Sequence, residues 1–391
     1  MQSVWAYARY GFINGFQLAL IGFMIMGGPW MWAGLVLAGG FILLDEVFED
    51  RATRTYKYPW LFNALLYLNL PSLLAISVVF GFYLGEGDPL GIAVIADTLV
   101  GVDLIARREV VSVYELFGAG LTVALFYGAA GINAAHELSH RTYSAVDQAV
   151  ARWMLAFTWD TTFPIEHVYG HHRHVGTERD PATARRGEYI LAFMLRSTVG
   201  CFINAFKIER NRLTQIGKPV WSLSNRALRG QAMSLVYCLG FYWLAGWTGM
   251  AVFLALAVNG KMYLEAVNYI EHYGLVRISG RPVEPRHSWD CYNSVSTTFL
   301  YNLTRHADHH IHSTKPYWHN KIEVGAMSMP HGYMTMILSA FMPSVWHRLM
   351  IPRLAFWDMH LASDEERAWL SKHGLVLSSA VTVGSRTSVW P

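Results

Sequence analysis

Histidine and acidic residues gather in four short clusters whose spacing is that of metal ligands. They are His136-Glu137-Leu138-Ser139-His140, Glu166-His167-Val168-Tyr169-Gly170-His171-His172, Glu271-His272, and His306-Ala307-Asp308-His309-His310. Residues three or four apart on a helix share a face, ~5–6 Å from one another. His136 with His140, His167 with His171, and His306 with His309 and His310 therefore meet the spacing for a shared ion. Neutral imidazole suits zinc, copper, iron and nickel. Adding His172 and His272 gives nine candidate ligands. One ion cannot use nine, since a zinc site takes about four; two ions with four or five ligands each can.

Each cluster also holds a carboxylate: Glu137, Glu166, Glu271 and Asp308. Ligating imidazoles commonly give their second N–H to such a group, which fixes the tautomer. The acids also offset the charge of two divalent ions, which neutral imidazoles leave uncancelled and which is costly beside a membrane. His287, His319, His331, His347, His360 and His373 lie outside the clusters and read as structural or solvated rings. His174 and His312 adjoin clusters without being needed for the count.

The elements that must carry these clusters are apolar. Of 391 residues, 53% are hydrophobic and only 15% charged, against about 25% charged in soluble domains. A net charge of +3 argues against a nucleic-acid binder, and three cysteines exclude a disulfide scaffold or a four-thiolate metal site within this chain. The pattern predicts an all-α integral membrane protein with six transmembrane helices and a cytoplasmic helical, His-rich cap holding a dinuclear metal site. The expected spans are 10–26, 30–47, 60–84, 112–131, 231–246 and 250–268, each near the ~20 residues a bilayer requires. They form a membrane domain over 1–374, with a tail or linker at 375–391. The first span reads as retained rather than as a signal peptide, because five more follow. Asp45, Glu46, Glu49 and Asp50 imply that the second span ends outside lipid, and Pro71 predicts a kink in the third.

Arg51, Arg54 and Lys57 follow span 2, and a basic stretch follows span 4, whereas links 1–2 and 5–6 carry no Lys or Arg. Arg107 and Arg108 in link 3–4 run against this pattern. The balance places both termini in the cytoplasm. Spans 4 and 6 then exit on the same side, and every histidine follows one of those exits.

Two other readings use part of the pattern. His136-Glu137-x-x-His140 alone resembles a zinc protease with Glu137 as base, but that leaves the second and fourth clusters unexplained. A metal transporter places its site near the bilayer midplane on broken helices, whereas these histidines follow the spans.

At these clusters the sequence resembles the membrane-bound, AlkB-type alkane 1-monooxygenases within the integral-membrane desaturase/hydroxylase superfamily. Three histidine boxes are the general superfamily pattern, and Asn268–Leu275, NYIEHYGL, is the segment that points to alkane hydroxylases. Arg141 stands where Lys is more usual, and Thr304 and Ala307 where Gln and Ser are common; no histidine is lost. The resemblance, over about residues 10–350, implies a non-haem di-iron centre ligated by His136, His140, His167, His171, His172, His272, His306, His309 and His310. It implies an inner-membrane enzyme with its site on the cytoplasmic side, which uses O2 to hydroxylate the terminal methyl of medium or long n-alkanes. Electrons would come from rubredoxin and its NAD(P)H-dependent reductase. Related hydroxylases and desaturases act on aromatic methyl groups, fatty acyl chains or sterols.

The chemistry of the residues is consistent with this. Zinc is redox-inert, so attack on an unactivated C–H bond requires another metal. A rubredoxin iron needs four cysteines, so the donor must be a separate protein or a domain beyond this sequence. The basic segment 185–218, led by Arg185 and Arg186, is the expected docking surface for an acidic donor.

Overall fold

The long apolar runs fold as helices, the form that satisfies backbone hydrogen bonds internally where no water reaches. The computed structural model describes residues 7–377, so most of the expected tail lies outside the described residues. Among them, strand is confined to Trp289–Asp290 and Met327–Ser328, paired in parallel.

Five helical stretches are long and apolar enough to cross a bilayer: Gly28–Asp45, Trp60–Leu84, Val113–Ser139, Ile190–Gln215 and Arg226–His272. They differ from the expected six in three places. The first expected span forms the helix Phe12–Met26, which has 15 residues. A 3-10 turn, Arg9–Gly11, continues it at the N-terminal end, and the two together extend ~28 Å, close to the ~30 Å hydrocarbon core. The expected spans 231–246 and 250–268 fall in one 47-residue stretch, broken at Ala245 and at Gly246, where φ is 59°. Only glycine adopts that left-handed conformation freely. Across the break the rings of Phe241 and Phe253 lie 5.3 Å apart, although twelve residues of straight helix would separate them by ~18 Å. The chain therefore reverses into a hairpin. Finally, Ile190–Gln215 is a 26-residue helix within the segment expected only to be basic; its first half is largely apolar apart from Arg196, and Lys207, Arg210 and Arg212 gather in its second half.

The chain divides into two compact units. The first comprises Met1–Leu43, Tyr56–Pro164 and Pro219–Tyr263. In it Phe12–Met26 buries Ile13, Phe16, Leu20 and Met24, a helical stripe, and the Tyr83 hydroxyl from Trp60–Leu84 donates to the Met24 carbonyl at 2.6 Å. Pro71 lies inside Trp60–Leu84, and the helix continues past it. Tyr237 stacks on Phe157 at 4.2 Å, and Phe157 on Tyr127 at 4.8 Å. Gly260, from the other arm of the hairpin, meets the same place: a Cβ there would sit 2.8 Å from Thr158 Cγ2 and 3.2 Å from Tyr127 Cβ. Val36, Leu43 and Val113 are exposed, as expected of a lipid-facing surface.

The second unit comprises Leu44–Thr55, Ile165–Lys218 and Leu264–Pro391. Short helices dominate it, and buried polar contacts tie them together. Asp45 accepts from the Ser296 backbone N–H at 2.8 Å and from its hydroxyl. Arg305 donates to the carbonyls of Asn320, Asp50 and Ala52. Tyr269, Tyr273 and Trp346 form an aromatic core with centroids 5.0–5.2 Å apart.

Candidate metal centre

Seven of the nine expected ligands belong to the second unit, and two groups form within it. His171, His272, His306 and His310 are all buried, and their ligand atoms lie within 4.8 Å of one another. His272 closes the long hairpin, and His306 and His310 share one face of the helix His306–Ile311. The Nε2 atoms of His272 and His306 are 2.9 Å apart, and those of His306 and His310 3.0 Å. The second group is His167, His172 and His309, with the Nε2 of His172 3.1 Å from each of the others. In the first unit, His136 and His140 form a pair with Nε2 atoms 3.4 Å apart.

The grouping departs from helical spacing, and a wide turn is the reason. Residues 167–171 form a π turn. In an α-helix residues five apart point ~140° away from each other; the wider π turn brings them to one side. His167 thus faces His172, and His171 is turned toward His272, His306 and His310. A second π turn, Tyr127–Ile132, precedes His136.

The donor set fits a transition metal. His272 Nδ1 lies 3.1 Å from the His287 carbonyl, which can only accept, so Nδ1 carries the proton and Nε2 presents a lone pair. His171 Nδ1 lies 2.8 Å from Asp180 Oδ2, which fixes the same tautomer. Burial, then the surrounding rings, hold the His310 pKa well below 6.5, leaving that imidazole neutral. The Nε2 atoms of His272, His306 and His310 face one another at 2.9–3.0 Å, close enough for one cation to gather a lone pair from each. Adjacent ligands ~2.1 Å from one ion in a right-angled arrangement are about 3.0 Å apart.

The expected acids divide. Glu271 Oε1 is 3.3 Å from His306 Nδ1 and accepts from the Tyr333 hydroxyl at 3.0 Å. Glu137 pairs with Arg141 at 3.0 Å. Glu166 accepts from Asn204 at 3.0 Å, and Gly170 permits that contact, since a Cβ there would lie 2.6 Å from Glu166 Oε1. Asp308 turns instead to Lys315 and to the Lys321 backbone N–H.

Three supporting groups gave no sequence signal. Asp180 holds His171 while accepting from Thr183 and the Ala182 N–H. Burial opposes charge on its carboxyl, but His171 and these donors keep its pKa below the usual range. Tyr333 holds Glu271. His287, read from sequence as an ordinary structural ring, supplies the carbonyl that orients His272, and its own Nε2–H donates to Glu366 at 2.8 Å. The basic segment needs a correction. Arg186 is buried, donating to both oxygens of Asp358 at 2.6 and 2.8 Å and to the Gly274 carbonyl at 2.7 Å. Burial and this clamp remove it from any docking surface, whereas Arg185 is only partly buried.

Buried histidine groups of this kind, in a chain with long apolar helices, define a class: histidine-rich metalloproteins associated with membranes. The comparisons narrow it. The fatty acid desaturase family matches residues 113–321, more than half of the chain. An alkane 1-monooxygenase of Pseudomonas putida is 33% identical over 344 residues, 83% of this chain and 78% of the relative. Alkane 1-monooxygenase 1 of Pseudomonas aeruginosa is 36% identical over 239 residues, 60% of this chain and 62% of the relative's length. The hydroxylase component of a xylene/toluene monooxygenase from Pseudomonas putida is 28% identical over 349 residues, 89% of each chain. The chain belongs to the fatty acid desaturase family, among the alkane 1-monooxygenase type.

Proposed function

We propose that this protein is an O2-dependent hydroxylase of the terminal methyl group of medium or long n-alkanes. The observation that carries the reading is the buried group of His171, His272, His306 and His310, set in a chain similar to alkane 1-monooxygenases. These four residues would hold one iron. His167, His172 and His309 would contribute to holding the second, and the likeness to alkane 1-monooxygenases implies His136 and His140 as further iron ligands. When bound, a pair of irons supplies the redox chemistry that zinc cannot. The overall reaction balances as alkane, O2, two electrons and two protons giving 1-alkanol and water.

The chain's own residues contribute position and exclusion. Asp180 and the His287 carbonyl fix the tautomers of His171 and His272, so these two rings would meet the metal as lone pairs, and Glu271 lies beside His306 Nδ1. Burial of the rings keeps bulk water from a reactive centre. The alkane would reach the site from the lipid between the apolar helices. Electrons would arrive from rubredoxin and its reductase on the cytoplasmic side of the inner membrane, with Arg185 contributing to docking.

A second reading, hydroxylation of aromatic methyl groups, draws on the relative matched over 89% of the chain. One experiment separates these readings: quantitation of iron in the purified protein, then turnover of octane and of xylene with rubredoxin, its reductase and NAD(P)H. Two irons per chain and 1-octanol are expected. Two zincs, or iron-loaded protein that leaves octane untouched, would refute the proposal; xylene turnover alone would favour the second reading.

A further inference from the structure

We infer that the helix Ile190–Gln215 lies along the membrane surface, with its exposed apolar stripe in the lipid of one leaflet, and does not cross. Length and hydropathy alone would permit a crossing. The histidines forbid it. His171 precedes this helix and His272 follows it, yet their rings lie 5.0 Å apart. The chain between them must therefore cross the membrane an even number of times. The hairpin within Arg226–His272 returns to the side it left, because Phe241 and Phe253 meet across its break. A crossing by Ile190–Gln215 would make the number odd.

The faces of the helix say what covers it. Phe193, Met194, Ser197, Ala205, Glu209 and Leu213 are buried, Phe193 edge-on against Tyr269. The opposite face exposes Leu191 at 51%, Leu195 at 69%, Val199 at 49%, Phe202 at 44% and Ile203 at 46%. Spaced by three or four residues, these form one apolar stripe. Lys207 and Arg210 continue it toward the C-terminal end, both exposed. A stripe that is apolar for about four turns and then basic matches the boundary between acyl chains and anionic headgroups. A soluble partner would leave the basic end without that match. The inference rests on the membrane reading above but not on the reaction, so it stands or falls separately from substrate turnover.

Sidedness and depth test it in the full chain. Glu178→Cys and Thr214→Cys each place an exposed thiol at one end of the segment. A membrane-impermeant maleimide should label both from the same side when right-side-out spheroplasts and inside-out vesicles are compared, with the wild type as background. Labelling from opposite sides would overturn the inference. In a Cys201→Ser background, nitroxides at Leu195→Cys and Val199→Cys are then read in liposomes containing phosphatidylglycerol, with metal content confirming that each variant folds. Relaxation by O2 should exceed relaxation by an aqueous nickel chelate at both sites, and the order should reverse at Thr214→Cys. Chelate access at Leu195→Cys would mean an aqueous face, and exclusion of both relaxants would mean a protein-covered one; either result would overturn lipid as the occupant.

Discussion

Replacing Asp180 with asparagine tests the metal assignment without touching a proposed ligand. Asp180 and His171 are both almost wholly buried, and the carboxylate accepts the imidazole N–H at 2.8 Å, the Thr183 hydroxyl at 2.6 Å and the Ala182 N–H at 3.0 Å. Asparagine keeps the shape and can still accept from His171, so the tautomer survives. The negative charge that makes the ring a stronger donor is lost. Changes of this kind to outer partners cost ~10–100-fold in metal affinity, which is about 1.4–2.7 kcal/mol. Asp180→Ala removes the acceptor of the His171 N–H, the Ala182 N–H and the Thr183 hydroxyl, adding ~1–3 kcal/mol of destabilisation for each one left unpaired. Iron retained after graded chelator challenge should therefore fall in the order wild type, Asp180→Asn, Asp180→Ala. The group that includes His171 should empty first, giving chain populations with about half the iron. Asp180→Asn protein that keeps both irons at wild-type chelator tolerance would refute the argument that this carboxylate tunes a ligand.

Tyr333→Phe removes one donor from Glu271, loosening the acid beside His306; iron retention should fall by about tenfold with the fold preserved by circular dichroism, and unaltered retention would exclude the Tyr333–Glu271–His306 relay. Glu366→Gln should lower thermal stability at pH 7 by about 1–2 kcal/mol by weakening the hydrogen bond from His287. Although burial opposes it, His287 and the Ser363 N–H hold the Glu366 carboxyl down to about 2, so its contribution is present above the ordinary pKa of 4.5 and is lost as the pH falls through about 2. The wild-type advantage in melting temperature should accordingly shrink between pH 5 and pH 2, and an advantage that grows on acidification would contradict the sign. Arg185→Glu should slow electron delivery and flatten its salt dependence, with an unchanged salt profile counting against docking there. Arg186→Ala should instead strand the buried Asp358 charge at a cost of ~3–5 kcal/mol, seen as lost folded protein rather than as altered salt dependence.

Which imidazoles cluster was more legible in the sequence than how they group. Counting imidazoles led to nine candidates and two ions, and the reversal at Gly246 bears out the expected break between the arms of the last hairpin. Pairing by helical period failed where the helix is not α. His167 and His171, four apart, were the natural pair; the π turn sends them to separate groups and joins His167 to His172. A one-residue change in winding leaves no trace in residue types. The same blindness explains the supporting groups. Asp180 lies in a loop, Tyr333 more than sixty residues after the glutamate it holds, and His287 acts on His272 through a backbone carbonyl, which any residue could supply. Carboxylates adjacent in sequence were the obvious partners, yet Asp308 is committed to Lys315 and Lys321. A residue beside a ligand on a helix points to another face, so the partner of a ligating ring tends to come from elsewhere in the fold. Local spacing therefore identifies the atoms that can touch a metal, and tertiary contacts decide which ion they touch and what holds them there.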